Sequence, residues 1–286
     1  MCELFSLSSR HPATVTLSLE ELSRRGGLTG PHKDGWGVAY YCDGDVRLIK
    51  ESGPASSNAC LRFIQDHPFA STLVLSHIRK TTQGDNSLRN CQPFTRELGG
   101  AMHVFAHNGH LDLGEMRRRM PLGTHRPLGE TDSEHAFCAL LARLAGAWLR
   151  GPGTPPLAER VATVKQFALE LRPLGPANFI YSDGDALFAH SHKRTHADGI
   201  RPPGLHFLSR HCAGEPHRMD TPGLSIGTES GPQSVALFAS VPLTGEAGWR
   251  ALDDGEVVVA RGGEIAASHR ISTRSSFSSN HDREVL

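Results

Sequence analysis

The feature that most constrains the fold is a series of short apolar segments joined by tight, glycine-containing turns. WGVAYYC and VRLIK flank Asp43-Gly44-Asp45, and ANFIYS and ALFAHS flank Asp183-Gly184. Apolar runs of this length around an Asp-Gly turn are typical of β-hairpins. Consecutive hairpins predict antiparallel sheets, so both halves of the chain are expected to be rich in strands.

Two longer helical patterns lie between these strand-rich halves. The first begins with a capping box at Thr131-Asp132-Ser133-Glu134, and the second is LAERVATVKQFALELR. The first pattern places five large apolar residues on one stripe, namely Phe137, Leu140, Leu141, Leu144 and Trp148. A shorter helix is predicted through NACLRFIQ, and another capping box is present at Ser18–Glu21. Helices that cover the outer faces of antiparallel sheets give an α+β domain.

Composition narrows the classes of protein to which the chain can belong. Of the 286 residues, 38% are hydrophobic and 21% are charged, which is typical of a globular protein. The formal net charge is zero, so no attraction to nucleic acid or to a membrane surface is expected. The six cysteines are widely spaced and form no C-x-x-C pair, which favours reduced thiols and a cytoplasmic location. We predict one domain over residues 2–266 and a polar, disordered tail over residues 267–286.

Cys2 directly follows Met1, and removal of Met1 would give one residue both a thiol and a free α-amine. The reference pKa values of these groups are about 8.5 and about 7.7–8.0, so the amine can take the thiol proton near neutral pH. Cys2 would then supply a nucleophile and its base together. The structural alternative is that Cys2 packs as a small apolar side chain.

Five further segments each have a structural and a chemical interpretation. Asn108-Gly109 fits the turn of a hairpin between HVFAH and HLDL, or two donors directed at an oxyanion. Arg79 fits a solvated strand end or a bidentate partner of a carboxylate. Asp132 fits the helix dipole or a partner for a substrate ammonium. Gly35–Gly37 and Asn90–Phe94 fit connecting turns, or backbone that closely approaches a reactive group.

Six motifs in this order resemble the class II glutamine amidotransferases, which are N-terminal nucleophile hydrolases: MCELF, KDGWG, SHIRKTT, NCQPF, FAHNGHL and GETDSEHAF. RGGLTGPHKDGWG, QPFTREL and a late VPLTG resemble the YafJ-like branch of that family. The resemblance extends to about the EIAAS segment. It implies a four-layer αββα sandwich of two antiparallel sheets and a reaction without cofactor or metal.

The resemblance also implies a role for each matching residue. Cys2 matches the nucleophile that forms a γ-glutamyl thioester, and Asn108 and Gly109 match the oxyanion hole. The matching substrate-binding positions are Arg79 and Thr82 for the α-carboxylate, Asp132 for the α-ammonium, and Trp36 and Gly37 in the segment beside the nucleophile. Lys80 and Thr81 depart from the serine or tyrosine of many relatives, which affects the details of head-group recognition.

The leading functional hypothesis is therefore a cysteine amidohydrolase that cleaves the γ-glutamyl amide of glutamine or of a related γ-glutamyl compound. Released ammonia is expected either to pass to a separate synthase or amidase partner or to leave as a product. His32, Lys33 and the NCQPF segment are predicted to line the leaving-group side.

Two alternatives remain open from the residues. One is a non-catalytic regulatory subunit that binds glutamine or a γ-glutamyl ligand, for which a nucleophile and oxyanion donors are unnecessary. The other is a metal-dependent hydrolase built on the 17 histidines, which cluster at His103–His110 and His190–His196. Neither histidine cluster has a helical i, i+4 pair with an acidic base.

Overall fold

The computed structural model describes residues 2–15, 24–212, 218–221, 224–227, 232–245 and 247–271. Nine strands of this part form one sheet in the order β15-β11-β14-β1-β4-β2-β3, with β12 and β13 pairing at the far end of β1. These strands are β1 (Glu3–Val15), β2 (Trp36–Cys42), β3 (Asp45–Glu51), β4 (Ser71–Ile78), β11 (His206–Cys212), β12 (Arg218–Thr221), β13 (Leu224–Gly227), β14 (Gln233–Ala239) and β15 (Arg250–Ala251).

A second sheet has the order β17-β16-β8-β7-β6-β5. Its strands are β5 (Phe94–Leu98), β6 (Ala101–Gly109), β7 (Ala177–Ser182), β8 (Leu187–His190), β16 (Glu256–Arg261) and β17 (Glu264–Arg270). A separate two-stranded ribbon contains β9 (Arg194–His196) and β10 (Gly199–Arg201). The helices are α1 (Ala59–Asp66), α2 (Leu113–Arg119), α3 (Asp132–Trp148) and α4 (Leu157–Leu171).

Three hydrophobic cores define the layers. The first lies between α1 and the large sheet, where Leu61 packs with Phe5 and Leu7. The second lies between the two sheets and contains Leu4, and the third packs α2, α3 and α4 on the small sheet. Leu4 and Phe5 enter different cores because neighbouring side chains of a strand point to opposite faces. The predicted αββα sandwich of two antiparallel sheets is confirmed.

Only one of the two hydrogen bonds expected of a capping box is present at the start of helix α3. The Thr131 hydroxyl accepts a hydrogen bond from Glu134 N at 3.2 Å. The Glu134 carboxylate instead accepts from Gly129 N at 2.7 Å and from Arg96 Nη2 at 2.5 Å. Glu134 therefore anchors the loop before the helix. The second predicted capping box, at Ser18–Glu21, lies outside the described residues.

The two ends of the sandwich differ in what they carry. At one end β1 and β7 begin, β4 and β6 end, and α3 begins. At the other end lie the hairpin turns at Asp43-Gly44 and Asp183-Gly184, as predicted. There the Tyr41 hydroxyl lies 2.9 Å from Met102 O and 3.0 Å from Ser182 O, which joins the sheets. We call these the strand-start end and the hairpin end.

The structure also gives information on the predicted tail, on the cysteines and on membrane-spanning helices. Strand β17 continues to Arg270, so residues 267–270 belong to the sheet rather than to the predicted tail. The five cysteines whose side chains are described are unpaired, in line with the absence of a disulfide framework. In the described residues, none of the helices is both long enough and apolar enough to span a bilayer.

Candidate active site

Cys2 lies at the strand-start end, immediately before β1, and is partly buried. Its Sγ accepts a hydrogen bond from Lys80 N at 3.3 Å and lies 3.4 Å from Lys80 O, to which the thiol donates. Burial raises the pKa of the Cys2 thiol, although the Lys80 N–H and the Arg79 charge act to lower it. Deprotonation of this thiol near neutral pH therefore requires a base.

Arg79 follows the last residue of β4, and its side chain is buried. The guanidinium donates to Gln83 O at 2.9 Å and to Asp85 O at 3.0 Å, which shapes the loop that starts at Lys80. A guanidinium has five N–H donors, so most of them remain for another acceptor. Among the described residues, no carboxylate forms an ion pair with Arg79.

Asp132 occupies the first turn of α3 and is also buried. Its carboxylate accepts from Leu111 N at 2.7 Å and from Ser133 N at 2.9 Å. These donors are neutral backbone groups, and within the described part of the chain no cation pairs with Asp132. The carboxylate can accept about four hydrogen bonds, so it has unused capacity.

Arg79 and Asp132 are therefore two buried opposite charges, and neither forms an ion pair within the described ranges. The Asp132 carboxylate also accepts from the neutral Ser133 hydroxyl at 3.4 Å. Arg and Asp are almost never fully buried unless they are paired. The charges of both residues act on the Cys2 thiol, where Asp132 raises its pKa and Arg79 lowers it. The structure thus brings a cation, an anion and a thiol together around one space.

Asn108 and Gly109 end strand β6 and do not form the hairpin turn that the sequence predicted. They pair with Asn178 and Ala177 of β7, and HLDL leads into α2 instead of a strand. Position 109 requires glycine because the Pro176 backbone approaches it closely: a Cβ here would lie 1.8 Å from Pro176 O. The hairpin prediction was wrong because Asn-Gly is also compatible with a strand end that closely approaches other backbone.

Asn108 is fully buried and is held on both its side chain and its backbone. Its Nδ2 donates to Ser240 Oγ at 3.0 Å, and its carbonyl accepts from Asn178 Nδ2 at 2.9 Å. Asn178 also donates to Lys193 O at 2.7 Å. A Cβ at Gly204 would lie 1.6 Å from Asn178 Oδ1, so this glycine makes room for the amide.

Gln92 holds the opposite edge of β6. Its Oε1 accepts from His107 N at 2.7 Å and its Nε2 donates to His107 O at 3.2 Å, as a neighbouring strand would do. In an antiparallel strand, backbone groups two residues apart point to the same edge. We infer that the Gly109 N–H points toward the same edge as the His107 N–H, away from β7.

The NCQPF segment is therefore mainly structural, in contrast to its predicted place on the leaving-group side. Cys91 and Gln92 are buried. Asn90 Nδ2 donates to Asp85 O at 3.1 Å, and its Oδ1 accepts from Glu130 N at 3.0 Å. Asn90 thus joins the loop after Arg79 to the loop before α3. The motif alone does not encode this role, because both partners of Asn90 lie in other loops.

Trp36 and Gly37 are packed within the fold, and their predicted contact with the substrate stays a prediction. The Trp36 side chain lies in the core beneath α1, together with Phe5 and Ile78. Gly37 lies beneath the NCQPF segment, because a Cβ there would be 2.4 Å from Gln92 O. Both residues support the site from behind, since Trp36 packs the large sheet and Gly37 admits the covering loop.

Four other residues of the sequence motifs have different environments in the structure. Asp34, which the sequence motif contained but which was given no role, accepts from Thr81 N at 2.8 Å. It therefore positions the loop that contacts Cys2. Thr82 is exposed in the same loop, and its carboxylate contact stays a prediction. His32 is buried, with Nδ1 3.3 Å from Arg25 O, whereas Lys33 is exposed.

The histidines of the two sequence clusters form hydrogen bonds with different partners in the fold. His103 contacts the Tyr181 hydroxyl at 2.7 Å, His107 contacts Ser133 Oγ at 2.9 Å, and His190 contacts Ala177 O at 2.7 Å. No group of three His, Cys, Asp or Glu side chains arranged to hold a metal ion is found in the described ranges.

Comparison with known proteins identifies relatives over nearly the whole chain. A family model described as glutamine amidotransferases class-II matches residues 1–284. YafJ of Escherichia coli strain K12, which is named as a glutamine amidotransferase, is 35% identical over 259 residues, or 90% of this chain and 96% of YafJ. A similarly named protein of Haemophilus influenzae is 32% identical, over 93% of this chain and 86% of its own length.

Solved structures show the same similarity. The 2.0 Å crystal structure of a protein described as a predicted glutamine amidotransferase from Pseudomonas aeruginosa PA01 has a TM-score of 0.67 and 32% identity, and covers 93% of this chain and 100% of that protein. The glutamine phosphoribosylpyrophosphate amidotransferase of B. subtilis shares the fold, with a TM-score of 0.61 at 16% identity over 96% of this chain and 50% of that protein. The chain therefore belongs to the class II glutamine amidotransferase family and to its YafJ-like branch.

Proposed function

We propose that this protein hydrolyses the γ-glutamyl amide of glutamine, or of a related γ-glutamyl compound, through a thioester on Cys2. The observation that carries the proposal is the pair of buried charges on Arg79 and Asp132, each without an ion-pair partner in the described residues. An amino-acid head group has the complementary pair. Its α-carboxylate would bind Arg79, with Thr82 as a second contact, and its α-ammonium would bind Asp132.

Fixing both charges of the head group orients the rest of the substrate. The γ-amide would then lie over Cys2, which lies close enough to both charged residues for their charges to act on its thiol. Such positioning converts an encounter between two molecules into a reaction within one complex, and well-oriented systems gain about 7–11 kcal/mol from it.

The chemistry begins with the Cys2 α-amine, exposed by removal of Met1. The amine takes the thiol proton, which is necessary because burial raises the thiol pKa. The Sγ–C bond forms as the γ-carbonyl becomes a tetrahedral oxyanion. The second Nδ2 hydrogen of Asn108 and the Gly109 N–H donate to this oxyanion.

Collapse of the oxyanion breaks the C–N bond, and the α-ammonium of Cys2 returns its proton to the leaving ammonia or amine. Water, deprotonated by the same α-amine, then attacks the thioester carbonyl. The C–S bond breaks, the thiol regains a proton and glutamate leaves. No oxidant, reductant or metal takes part in this sequence.

The leaving-group side of the site would determine which γ-glutamyl compound is the substrate. The head-group contacts are the same for glutamine and for other γ-glutamyl compounds, so only the other end of the molecule differs. Lys33, which is exposed, would contact that end. Released ammonia would either enter solution or pass to an acceptor on a separate synthase or amidase partner in the cytoplasm.

The decisive experiment is intact-mass measurement of the expressed protein before and after treatment with an electrophilic analogue of glutamine. We expect loss of Met1 and one adduct, which peptide mapping places on Cys2. The Cys2→Ala variant should form no adduct and should lose about 10⁴-fold or more of the activity, because it lacks the nucleophile. Cys42→Ala is the matched control, since Cys42 is exposed at the hairpin end.

Other outcomes would contradict the proposal. Active protein that retains Met1 would exclude the α-amine as base. Glutamate binding without turnover or adduct would support the regulatory-subunit alternative. Activity that survives in Cys2→Ala but disappears with a chelator would support the metal-dependent alternative.

A further inference from the structure

Ser240 is a buried residue whose position connects the beginning and the end of the chain. It directly follows β14 and lies opposite Leu4 of β1. Leu4 is only two residues after Cys2. Ser240 N donates to Leu4 O at 3.0 Å, and Leu4 N donates to Ser240 Oγ at 3.0 Å. The serine oxygen therefore replaces the backbone carbonyl that would normally complete this strand pair.

The carbonyl that the side chain replaces has another partner. Ser240 O accepts from Arg194 Nη1 at 2.6 Å, and the Arg194 side chain is itself buried. The backbone N–H, the carbonyl and the hydroxyl of Ser240 are all engaged in hydrogen bonds. Three fixed contacts leave the residue little freedom to change its rotamer or its backbone conformation.

The same oxygen reaches the second sheet. Asn108 Nδ2 donates to Ser240 Oγ at 3.0 Å, across 132 residues of sequence. A carboxamide nitrogen has two hydrogens, so the bond to Ser240 engages one and leaves the other. Asn178 holds the Asn108 backbone carbonyl at 2.9 Å, and the bond to Ser240 holds the side-chain amide.

We infer that Ser240 is a positioning residue, one that sets the distance between the nucleophile and the oxyanion hole. One oxygen accepts from the strand that carries Cys2 and from the amide that would stabilise the oxyanion. The inference rests on the proposed function, since it assigns Ser240 a part in that reaction. Ser240 itself would touch neither the substrate nor the reacting atoms.

Removal of this oxygen should affect the transition state more than substrate binding. In Ser240→Ala, Leu4 N and Asn108 Nδ2 both lose an acceptor, and the amide becomes free to rotate. A displacement of about 1 Å at a reacting group can cost about 10²-fold in rate. We expect kcat to fall about 10- to 100-fold while KM and the glutamate Kd change less than about twofold.

The experiment compares three variants of the processed protein. Ser240→Thr keeps a hydroxyl and should recover most of kcat. Ser182→Ala is the matched control, because Ser182 is equally buried, donates to Ala186 O at 2.9 Å and accepts from Gly184 N at 3.3 Å, but lies at the hairpin end. It should lower thermal stability with little change in kcat.

A measurement on the wild-type protein does not require Ser240→Ala to fold. With ¹⁵N-labelled asparagine, and with Asn108→Asp used to assign the signal, the Asn108 side-chain hydrogens should exchange far more slowly than those of exposed Asn86. Equal exchange rates would overturn the bond to Ser240. Such a result would contradict the inference even if Ser240→Ala does not fold.

The kinetic outcomes separate the inference from the proposed function. Active wild type with an unaffected Ser240→Ala, or an equal loss of kcat in Ser182→Ala, overturns the role of Ser240 alone. A processed wild type without activity on any γ-glutamyl amide overturns the proposed function and the role of Ser240 with it.

Discussion

Asp132 at the strand-start end and Asp183 at the hairpin end are both buried aspartates, but their hydrogen-bond partners differ in charge. Asp183 accepts from Arg160 Nη1 at 2.7 Å and from the backbone N–H groups of Asp185 and Ala186. Asp132 accepts from backbone N–H groups, and among the described residues it has no cation. The Asp183 carboxylate has a cationic partner within the fold, whereas the Asp132 carboxylate has none among the described residues.

Under the proposed function, the same residue type would serve stability in one region and binding in the other. At the hairpin end, opposite charges satisfy each other and hold the turn between β7 and β8. At the strand-start end, Arg79 and Asp132 each bond to backbone groups and, among the described residues, to no oppositely charged side chain. The cost of leaving these charges unpaired would be recovered only when a zwitterionic ligand binds. Substitutions at each end test that division.

The largest effect is expected from Arg160→Met, which leaves Asp183 buried without its cation. Removing one partner of a buried ion pair costs about 3–5 kcal/mol, and the free energy of unfolding in urea should fall by that amount. Arg261→Met removes an exposed partner of Asp185 and should cost less than about 1 kcal/mol. Equal losses in the two variants would show that the pair at Asp183 has no special importance.

Asn108→Ala should affect the reaction rather than binding. Loss of one oxyanion donor lowers kcat about 10²–10³-fold, whereas the glutamate Kd should stay within about threefold of wild type. Steady-state kinetics and calorimetric titration measure the two quantities. A Kd that rises as much as kcat falls would place Asn108 in head-group binding instead.

Glutamate should stabilise the protein by completing the charges at the strand-start end. At 100 times its Kd, a ligand that binds only the folded state adds about 2.7 kcal/mol to the free energy of unfolding. Asp132→Asn should abolish this gain at the same glutamate concentration, with the gain measured relative to the unliganded variant, because the amide also leaves one of the two backbone donors at Asp132 without its acceptor. Asp112→Asn, at the exposed start of α2, is the control that should keep the full gain.

The smallest effect concerns His103, which lies near the hairpin end and contacts Leu98 O and Tyr181. Burial lowers its pKa to about 4, below the ordinary value of 6.5. The unfolded chain therefore binds the proton first, and stability is lost as the pH falls from about 6.5 toward 4.

In His103→Gln the slope of unfolding free energy against pH in that range should decrease by about 1.4 kcal/mol per pH unit. Denaturant titrations at several pH values measure it, with exposed His67→Gln as the control. An unchanged slope in His103→Gln would mean that His103 is not kept neutral by burial.

The architecture was largely predictable because its signals are local. The Asp-Gly turns at Asp43 and Asp183 define hairpins, and the apolar stripe from Phe137 to Trp148 defines a helix. The family resemblance placed Cys2, Arg79 and Asp132 together in advance, and in the structure the charges of Arg79 and Asp132 both act on the Cys2 thiol. The Asn108-Gly109 error shows the limit of a dipeptide, since its environment comes from Pro176 and β7.

The supporting residues of the site were not predictable from pattern. Gln92, Asn178 and Ser240 are polar side chains that bond to backbone or to other side chains far along the chain. The bond from Ser240 to Leu4 spans 236 residues, and no local periodicity encodes such a partner. The core position of the Trp36 side chain was not predictable for the same reason, because a motif does not state which face of a strand a side chain occupies.

The bond between Leu4 and Ser240 also has a consequence for the order of events during biosynthesis. Strand β1 is synthesised before its partner β14, which begins only at Gln233. Nascent chains fold from the N terminus as they are made, but a strand cannot pair with sequence that has not been synthesised. The thiol at residue 2 would therefore gain its completed surroundings only after most of the chain has been translated, which limits premature reaction of a nascent polypeptide.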